Sequence, residues 1–458
     1  MTDDPVVPGS FRDPSGFVFQ REGILYRQVN QVHREDYDLL MSSGLYEKLV
    51  AAGLLVPHHE TGDPVTGDAY RVLRPERVGF VSYPYEWCFG QLKDAALATL
   101  RIQRIALDAG MSLRDASAYN IQFRSGRPVL VDTLSFERLR EGMPWVAYRQ
   151  FCQHFLAPLA LMAYRDVRLA QLLRTNGDGI PLDLAASLLP RRARFRFSLF
   201  VHIYAHARTQ RRHESDDTAS RTRKRFTLQA FRALVESLES AVRRLGWTPE
   251  RSVWTEYYAH ELGYSEEAFE HKRELVRKFV DDVAPETVWD LGGNVGVFAR
   301  ISAAQGIPTV CFDVDPSCVE ANYRQVVADG ETNLLPLVLD LTNPSPGTGW
   351  ANRERQSLVE RGPADMALAL ALVHHLAIGN NVPLPMVAGF LSEVCRWLLV
   401  EYIPKDDPRV GALLASREDI FPDYNVEGFE RAFEQRFQIE RREEIRESPR
   451  ILYLMRGR

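Results

Sequence analysis

The sequence of 458 residues predicts an α/β domain in its C-terminal half, preceded by an α+β domain. An apolar run at 288–291 leads into a glycine-containing turn at 292–296, and a second apolar run ends at Asp315. Further apolar runs, separated by helical or loop segments, follow at 334–339, 366–372 and 397–400. This alternation is typical of a doubly wound parallel sheet, which binds ligands at the carboxyl ends of its strands.

A polar stretch at 206–225 separates the two halves of the sequence. It has almost no large apolar residues and mixes both charge signs, so we do not expect it to pack into a core. We therefore predict an N-terminal domain at 1–205, a linker at 206–225 and a C-terminal domain at 226–458. Apolar spacing at 226–245 predicts a helix that leads into the C-terminal domain.

The turn after the first C-terminal strand predicts an adenosine-containing ligand. Gly292, Gly293 and Gly296 lack side chains where the backbone must bend sharply and approach a ligand closely. Asp315 follows Asp290 by roughly 25 positions, close to the roughly 20 expected for an acid that binds ribose hydroxyls. The alternative is a glycine turn that serves only strand-to-helix packing.

The chemistry of the turn separates two kinds of adenosine ligand. A dinucleotide favours GxGxxG, because its pyrophosphate binds bare N–H groups at a helix N-terminus. Here Asn294 takes the place of the middle glycine, and Asp290 would repel a phosphate but attract a cationic sulfonium or an ammonium group. The resulting DxGxxxG pattern resembles motif I of the class I S-adenosylmethionine-dependent methyltransferases over about residues 250–458. An NAD(P)-binding oxidoreductase is the disfavoured alternative.

This resemblance implies a Rossmann-like, seven-stranded sheet that is parallel except for a terminal antiparallel hairpin, here at 437–441 and 451–455. It also implies cofactor contacts. Residues Asp290 to Gly296 would hold the methionine part of S-adenosylmethionine, Asp315 the ribose hydroxyls, and Asp340 would lie near the adenine.

Candidates for proton transfer follow the fourth and fifth strands. His374 and His375 come after the fourth apolar run, where an imidazole could take a proton from an attacking hydroxyl or amine. Glu401 ends the fifth strand at the same edge of the sheet and is a further candidate. The alternatives are histidines that only shape the pocket and a solvated strand end.

The N-terminal half carries a different motif. Asp115 precedes Asn120 by five positions, and Asp132 follows twelve positions later. These offsets resemble the catalytic loop and metal-binding Asp of the protein-kinase-like fold, over roughly residues 15–205. The resemblance implies magnesium and ATP at these three residues, with Arg27 in place of the strand lysine. Because no glycine-rich loop is present and arginine has a different fork geometry, we predict a degenerate, non-catalytic kinase-like domain. An unrelated α+β accessory domain and an active kinase are the alternatives.

Local patterns predict the elements of this N-terminal domain. We expect two strands within 16–29, a helix at 36–55, a strand at 78–81 and a long helix at 92–109.

Composition limits the remaining classes. The net charge of −5 argues against broad nucleic-acid or anionic-membrane binding, although a local basic patch is compatible with it. The five cysteines are scattered and form no CxxC pair, so we expect no zinc site in the methyltransferase domain. The acidic N-terminus and the lack of a long apolar run predict a cytoplasmic protein without a membrane span.

The predicted activity is methyl transfer from S-adenosylmethionine to a small molecule, with a protein acceptor as the alternative. The N-terminal domain would position the substrate or bind a nucleotide. The segments ALALVHHL and VEYIPKDDP are similar to a bacterial group of methyltransferases related to nodulation proteins. A kinase-like phosphotransferase and a nucleotide-binding scaffold are further alternatives.

Overall fold

The computed structural model divides the chain into two compact units. The first comprises Met1–Thr248 with Thr348–Arg355, and the second comprises Pro249–Gly347 with Gln356–Arg458. The predicted linker at 206–225 lies outside the described residues. The structure describes residues 6–61, 67–205, 226–249, 264–415 and 418–458.

The N-terminal unit combines small antiparallel sheets with helices. Its strands are β1 (Gly16–Arg21), β2 (Ile24–Asn30), β3 (His58–Glu60), β4 (Ala69–Pro75), β5 (Met111–Leu113), β6 (Ile121–Arg124), β7 (Arg127–Leu130) and β8 (Phe136–Arg138). Four of them form a sheet in the order β1-β2-β4-β3, while β5 pairs with β8 and β6 pairs with β7. The unit therefore has the α+β composition that the sequence predicts, and its kinase-like character stays a prediction.

Helices make up much of the rest of the N-terminal unit. They are Arg34–Ser42, Leu45–Ala51, Phe89–Asp108, Tyr148–Phe151, Ala157–Tyr164, Leu172–Thr175, Leu182–Leu188, Phe197–Leu199 and Leu228–Arg244. The long helix expected at 92–109 is confirmed, whereas the helix expected at 36–55 is interrupted before Leu45 by Gly44, which has a positive φ of 71°. The strand expected at 78–81 is wrong, because these residues lie in a loop with a bend that follows the end of β4 at Pro75.

The boundary between the units differs from the predicted one. The helix Leu228–Arg244, expected to lead into the C-terminal domain, belongs to the N-terminal unit. Lys93 on the long helix donates from Nζ to the carbonyl oxygens of Arg243 at 3.1 Å and Leu245 at 2.7 Å. Buried apolar residues such as Phe231 and Leu238 line one face of Leu228–Arg244. An amphipathic pattern predicts this helix but not the unit against which its apolar face packs.

The C-terminal unit is built on one mixed sheet in the order β11-β10-β9-β12-β13-β15-β14. The first five strands in this order are parallel to one another, and the last two form an antiparallel hairpin that joins the sheet through β15 and β13. The α/β class predicted from the sequence is confirmed. The strands are β9 (Val288–Leu291), β10 (Thr309–Asp313), β11 (Leu334–Val338), β12 (Ala364–Ala369), β13 (Cys395–Tyr402), β14 (Phe437–Glu444) and β15 (Ile451–Gly457).

Helices connect and cover these strands. They are Glu266–Val283, Ala299–Ala303, Pro316–Asp329, Leu358–Arg361, Leu384–Val394, Pro408–Leu414 and Val426–Phe433. Phe279 and Val280 on the first of them are fully buried in a core cluster with Val288 of β9 and Leu399 of β13. This packing fixes the start of β9, and with it the position of the glycine turn that follows.

Candidate functional site

A cavity of about 380 Å³ lies in the C-terminal unit, where β9, β10, β11 and β12 end. Such a position, outside the carboxyl ends of parallel strands, is where doubly wound sheets bind their ligands. Most of the predicted cofactor residues line this cavity, namely Asp290, Gly292, Gly293, Asn294, Asp315 and Asp340, together with His375.

The glycine turn is shaped for close approach of a ligand. Gly292 has a φ of 79°, and a Cβ at Gly293 would lie 2.5 Å from Asp290 Oδ2, so both positions favour glycine. Asn294 has a φ of 52°, a conformation that asparagine adopts more readily than most other residues. Its Oδ1 accepts a hydrogen bond from the Val295 N–H at 2.8 Å. Asn294 thus replaces glycine in this turn without disrupting it.

Gly296 belongs to the same turn but lies outside the cavity lining. Its φ is 81°, and a Cβ there would lie 2.5 Å from Nδ2 of Asn322. Packing between the turn and the following helix therefore explains this glycine, which does not line the cavity.

Asp290 is a buried acid in the wall of the cavity. It is 1% exposed, and its Oδ2 atom has no hydrogen-bond partner among the described residues. Burial and the neighbouring Asp313 raise the pKa of Asp290 to about 7, although Lys272 opposes this change. A cationic group in the cavity would satisfy the unpaired oxygen and favour the charged carboxylate.

Two acids, Asp313 at the end of β10 and Asp315 just after it, line the cavity and accept different hydrogen bonds. Asp315 accepts a hydrogen bond from the Ser317 N–H at 2.7 Å and caps the helix Pro316–Asp329. Asp313, which sequence reasoning did not select, accepts from the N–H groups of Asn294 at 2.8 Å and Asp315 at 2.9 Å. Burial raises the pKa of Asp313 to about 6. The sequence signal that could have identified Asp313 is its position as the last residue of strand β10.

Asp340 lies at another side of the cavity, in the loop after β11. Its Oδ1 accepts hydrogen bonds from the Thr342 N–H at 2.8 Å and the Thr342 hydroxyl at 2.6 Å. These bonds hold the loop in one conformation beside Asp290 and Asp313.

Glu401 lies below the cavity rather than in its wall. Its side chain is fully buried and accepts from Lys272 Nζ at 2.7 Å, from the Ala371 N–H at 2.8 Å and from the Tyr264 hydroxyl. Burial alone would raise the pKa of Glu401, but Lys272 and Arg450 outweigh it and hold that pKa below its usual range. The structure therefore does not bring Glu401 to the position of an acid-base group facing a substrate.

The bonds to Glu401 also support the cavity wall. Ala371 has a φ of 50°, which is unfavourable for a residue with a Cβ, and it lies between Leu370 and Leu372 in the cavity lining. Lys272, which sequence reasoning missed, lines the cavity as well. It lies 129 positions from Glu401, and no sequence pattern relates the two residues.

The two predicted histidines occupy different environments. His375 lines the cavity, while His374 is 2% exposed and lies outside the lining. Burial lowers the pKa of both imidazoles, with further contributions from His375 for His374 and from Arg409 for His375. His374 packs against His375 with ring centroids 4.1 Å apart, so the pair places one imidazole at the cavity and the other outside its lining.

The N-terminal residues Arg27, Asp115, Asn120 and Asp132 also come together. Arg27 forms an ion pair with Asp132 Oδ1, and Asp132 Oδ2 accepts from the Ser135 hydroxyl at 2.5 Å. Burial and then the charge of Asp132 raise the pKa of Asp115, while its hydrogen bond with Asn120 acts in the opposite direction. Both Asp132 oxygens therefore accept from protein groups.

Among the residues that the structure describes, no group of three or more His, Cys, Asp or Glu side chains could hold a metal ion. In the same part of the chain, none of the helices combines the length and apolar character needed to cross a bilayer.

Several solved structures are similar to this chain over part of its length. The bifunctional kinase-methyltransferase WbdD is 17% identical, with a TM-score of 0.29 over 41% of this chain and 39% of that one. NodS, an N-methyltransferase from Bradyrhizobium japonicum WM9, is 8% identical with a TM-score of 0.30 over 42% of this chain and 98% of its own. Magnesium protoporphyrin IX methyltransferase from Synechocystis PCC 6803 is 15% identical, with a TM-score of 0.30 over 47% of this chain and 92% of its own.

A relative with a similar sequence shows the family of this chain. No protein-family profile matches the chain. The nodulation protein NoeA of Rhizobium meliloti (strain 1021) is 37% identical over 456 residues, which cover 98% of this chain and 95% of NoeA. The predicted resemblance to nodulation-related proteins is therefore confirmed, and the chain belongs to the family of the nodulation protein NoeA.

Proposed function

We propose that the C-terminal unit transfers the methyl group of S-adenosylmethionine to a small-molecule acceptor. The observation that carries this proposal is the unpaired Oδ2 atom of Asp290, which is buried in a cavity beside a glycine turn. A carboxylate at this position favours a ligand with a positive charge and disfavours the pyrophosphate of NAD(P). An NAD(P)-binding oxidoreductase is accordingly the weaker alternative.

The residues of the cavity fit this cofactor. Asp290 would pair with its cationic part, while Gly292 and Gly293 leave room for close approach of the backbone. We assign the ribose hydroxyls to Asp313 together with Asp315, because both line the cavity at the end of β10. Asp340 would lie near the adenine.

When bound, the cofactor supplies an electrophilic methyl group on its sulfonium sulfur. The cavity wall around Leu370 and Leu372 would exclude water and hold the acceptor in line with that group. The neutral imidazole of His375 would take the proton that an attacking hydroxyl or amine loses. His374 and Glu401 act beneath the wall as positioning groups.

Calorimetric titration with S-adenosylhomocysteine tests this proposal. The wild-type protein should bind it, and Asp290→Ala and Asp313→Ala should weaken binding by at least tenfold. Asp329→Ala serves as the control, because Asp329 ends the helix Pro316–Asp329 and does not line the cavity. NADH and Mg-ATP are titrated in parallel. Binding of NADH without S-adenosylhomocysteine would contradict the proposal and favour the oxidoreductase.

For the N-terminal unit, we propose a kinase-like fold that does not transfer phosphate. The supporting observation is that Arg27 and Ser135 both contact the Asp132 carboxylate, which a kinase would use to hold magnesium. Magnesium would have to displace the Arg27 ion pair. We therefore expect no hydrolysis of Mg-ATP by the wild-type protein. Magnesium-dependent turnover that Asp132→Asn abolishes would contradict this proposal.

A further inference from the structure

Exposed arginine and phenylalanine side chains occupy residues 191–197 of the N-terminal unit, after the helix Leu182–Leu188. We call it the Arg–Phe patch. Phe195 is 88% exposed and Phe197 is 81% exposed, although large aromatic side chains are ordinarily buried on folding. The members of the patch, all exposed, are Arg191, Arg192, Arg194, Phe195, Arg196 and Phe197.

The backbone beneath the patch is held by buried neighbours. Arg191–Phe195 forms a 3-10 turn, and Ala193 within it is fully buried. Leu199 is 2% exposed, and the chain continues into the turn Phe200–Ala205, in which Ile203 is fully buried. Phe195 and Phe197 thus protrude from a segment in which Ala193, Leu199 and Ile203 are buried, while Phe200 is 41% exposed.

The patch carries positive charge that no ion pair among the described residues balances. No Asp or Glu occurs in the sequence between Asp183 and Glu214. Arg191, Arg192 and Arg196 form no ion pair with any residue that the structure describes, whereas Arg168 in the same unit pairs with Asp166 at 2.6 Å. The local charge is therefore opposite in sign to the net charge of −5 of the whole chain.

We propose that the Arg–Phe patch binds the surface of an anionic phospholipid membrane. Within a few ångströms of depth, such a surface offers anionic headgroups for guanidinium groups and acyl carbon for aromatic rings. Arginine and phenylalanine alternate from Arg194 to Phe197, so one short exposed segment offers both kinds of contact. A nucleic-acid duplex would match the charge, but its base faces are already stacked on one another and would leave the protruding phenylalanines without an apolar contact. This proposal does not depend on the activity of the C-terminal unit.

Co-sedimentation of the full chain with vesicles tests the proposal. The wild-type protein should bind vesicles that contain phosphatidylglycerol more tightly than vesicles of phosphatidylcholine alone, and added salt should weaken this binding. Arg191→Ala with Arg192→Ala should lower the partition coefficient about 25-fold, on the basis of about fivefold for each arginine. Phe195→Ser with Phe197→Ser should lower it by roughly tenfold for each ring that enters the interface.

A matched pair of substitutions controls for total charge. Arg77 and Arg101 are exposed arginines of the same unit, so Arg77→Ala with Arg101→Ala removes the same charge outside the patch. This control should change the partition coefficient less than twofold, and all variants should unfold at the wild-type temperature. Failure of the wild-type protein to bind anionic vesicles would overturn the proposal, as would equal losses in the patch and control variants.

Discussion

Replacement of Glu401 by glutamine should destabilise the C-terminal unit strongly. The Glu401 carboxylate is fully buried and accepts from Lys272 at 2.7 Å, while Arg450 lies 3.7 Å away. Lys272 is 2% exposed and Arg450 is fully buried. In Glu401→Gln, the negative charge that compensates these cations is lost, although Asp407 still pairs with Arg450 at 2.7 Å.

The expected magnitude follows from the burial of this pair. Loss of one partner from a buried ion pair costs about 3–5 kcal/mol, because the other charge stays buried without compensation. For a domain of 150–250 residues, each kcal/mol lowers the unfolding temperature by about 2–4 °C. We therefore expect a decrease of roughly 6–20 °C by calorimetry at pH 7. Because the pKa of Glu401 is held below its usual range, its stabilising contribution is present above the unfolded-state pKa and is lost as the pH falls through the folded-state value.

An exposed glutamate of the same unit provides the control. Glu443 forms an ion pair with Lys278 at 3.9 Å, with both side chains substantially exposed. Glu443→Gln should change the free energy of unfolding by less than about 0.5 kcal/mol. Lys272→Met combined with Glu401→Gln should recover part of the lost stability, because it removes the uncompensated ammonium group. A decrease for Glu401→Gln no larger than that for Glu443→Gln would refute the reasoning.

Three further predictions concern the cavity itself. The pKa of Asp290 is raised to about 7, so the folded state favours the protonated carboxyl group. The free energy of unfolding should therefore decrease as the pH rises from about 4 through 7. Without added ligand, Asp290→Asn should thus raise the unfolding temperature more at pH 8 than at pH 5. Equal shifts at the two pH values would contradict the raised pKa of Asp290. Gly293→Ala should lower that temperature and weaken S-adenosylhomocysteine binding, because its Cβ would lie 2.5 Å from the Asp290 carboxylate. Gly389→Ala, where a Cβ meets no atom within 4 Å, should do neither. Once an acceptor is known, His375→Gln should lower kcat by about 10²–10⁴-fold without loss of cofactor binding. An equal loss in His374→Gln would contradict a specific role for His375.

The sheet of the C-terminal unit was predictable because buried parallel strands are nearly continuous apolar runs. Val288–Leu291 and Ala364–Ala369 are such runs, and they form β9 and β12. The glycine turn was predictable because its residues are neighbours in sequence. The Lys272–Glu401 pair was not, because two residues 129 positions apart meet only through the tertiary fold.

Local patterns also leave the choice between neighbouring positions open. At the end of β10, spacing alone favoured Asp315, yet Asp315 caps a helix while Asp313 bonds to the glycine turn. Similarly, the spacing in Leu228–Arg244 predicted an amphipathic helix but not the unit to which it belongs. Both cases require the positions of groups that are distant along the chain.

The buried charges below the cavity also bear on which ligand the cavity selects. Lys272 would by itself lower the pKa of Asp290 and reduce the attraction of the cavity for a cation. Glu401 pairs with Lys272 at 2.7 Å and offsets the positive charge of Lys272. Lys272 therefore reduces the negative potential of Asp290 and Asp313 in the cavity less than it would without Glu401. Because these two carboxylates raise the energy of each other's charged form, a ligand with a positive charge gains more there than a neutral one. We therefore expect Glu401, a residue outside the cavity lining, to favour a cationic ligand at the proposed cofactor site.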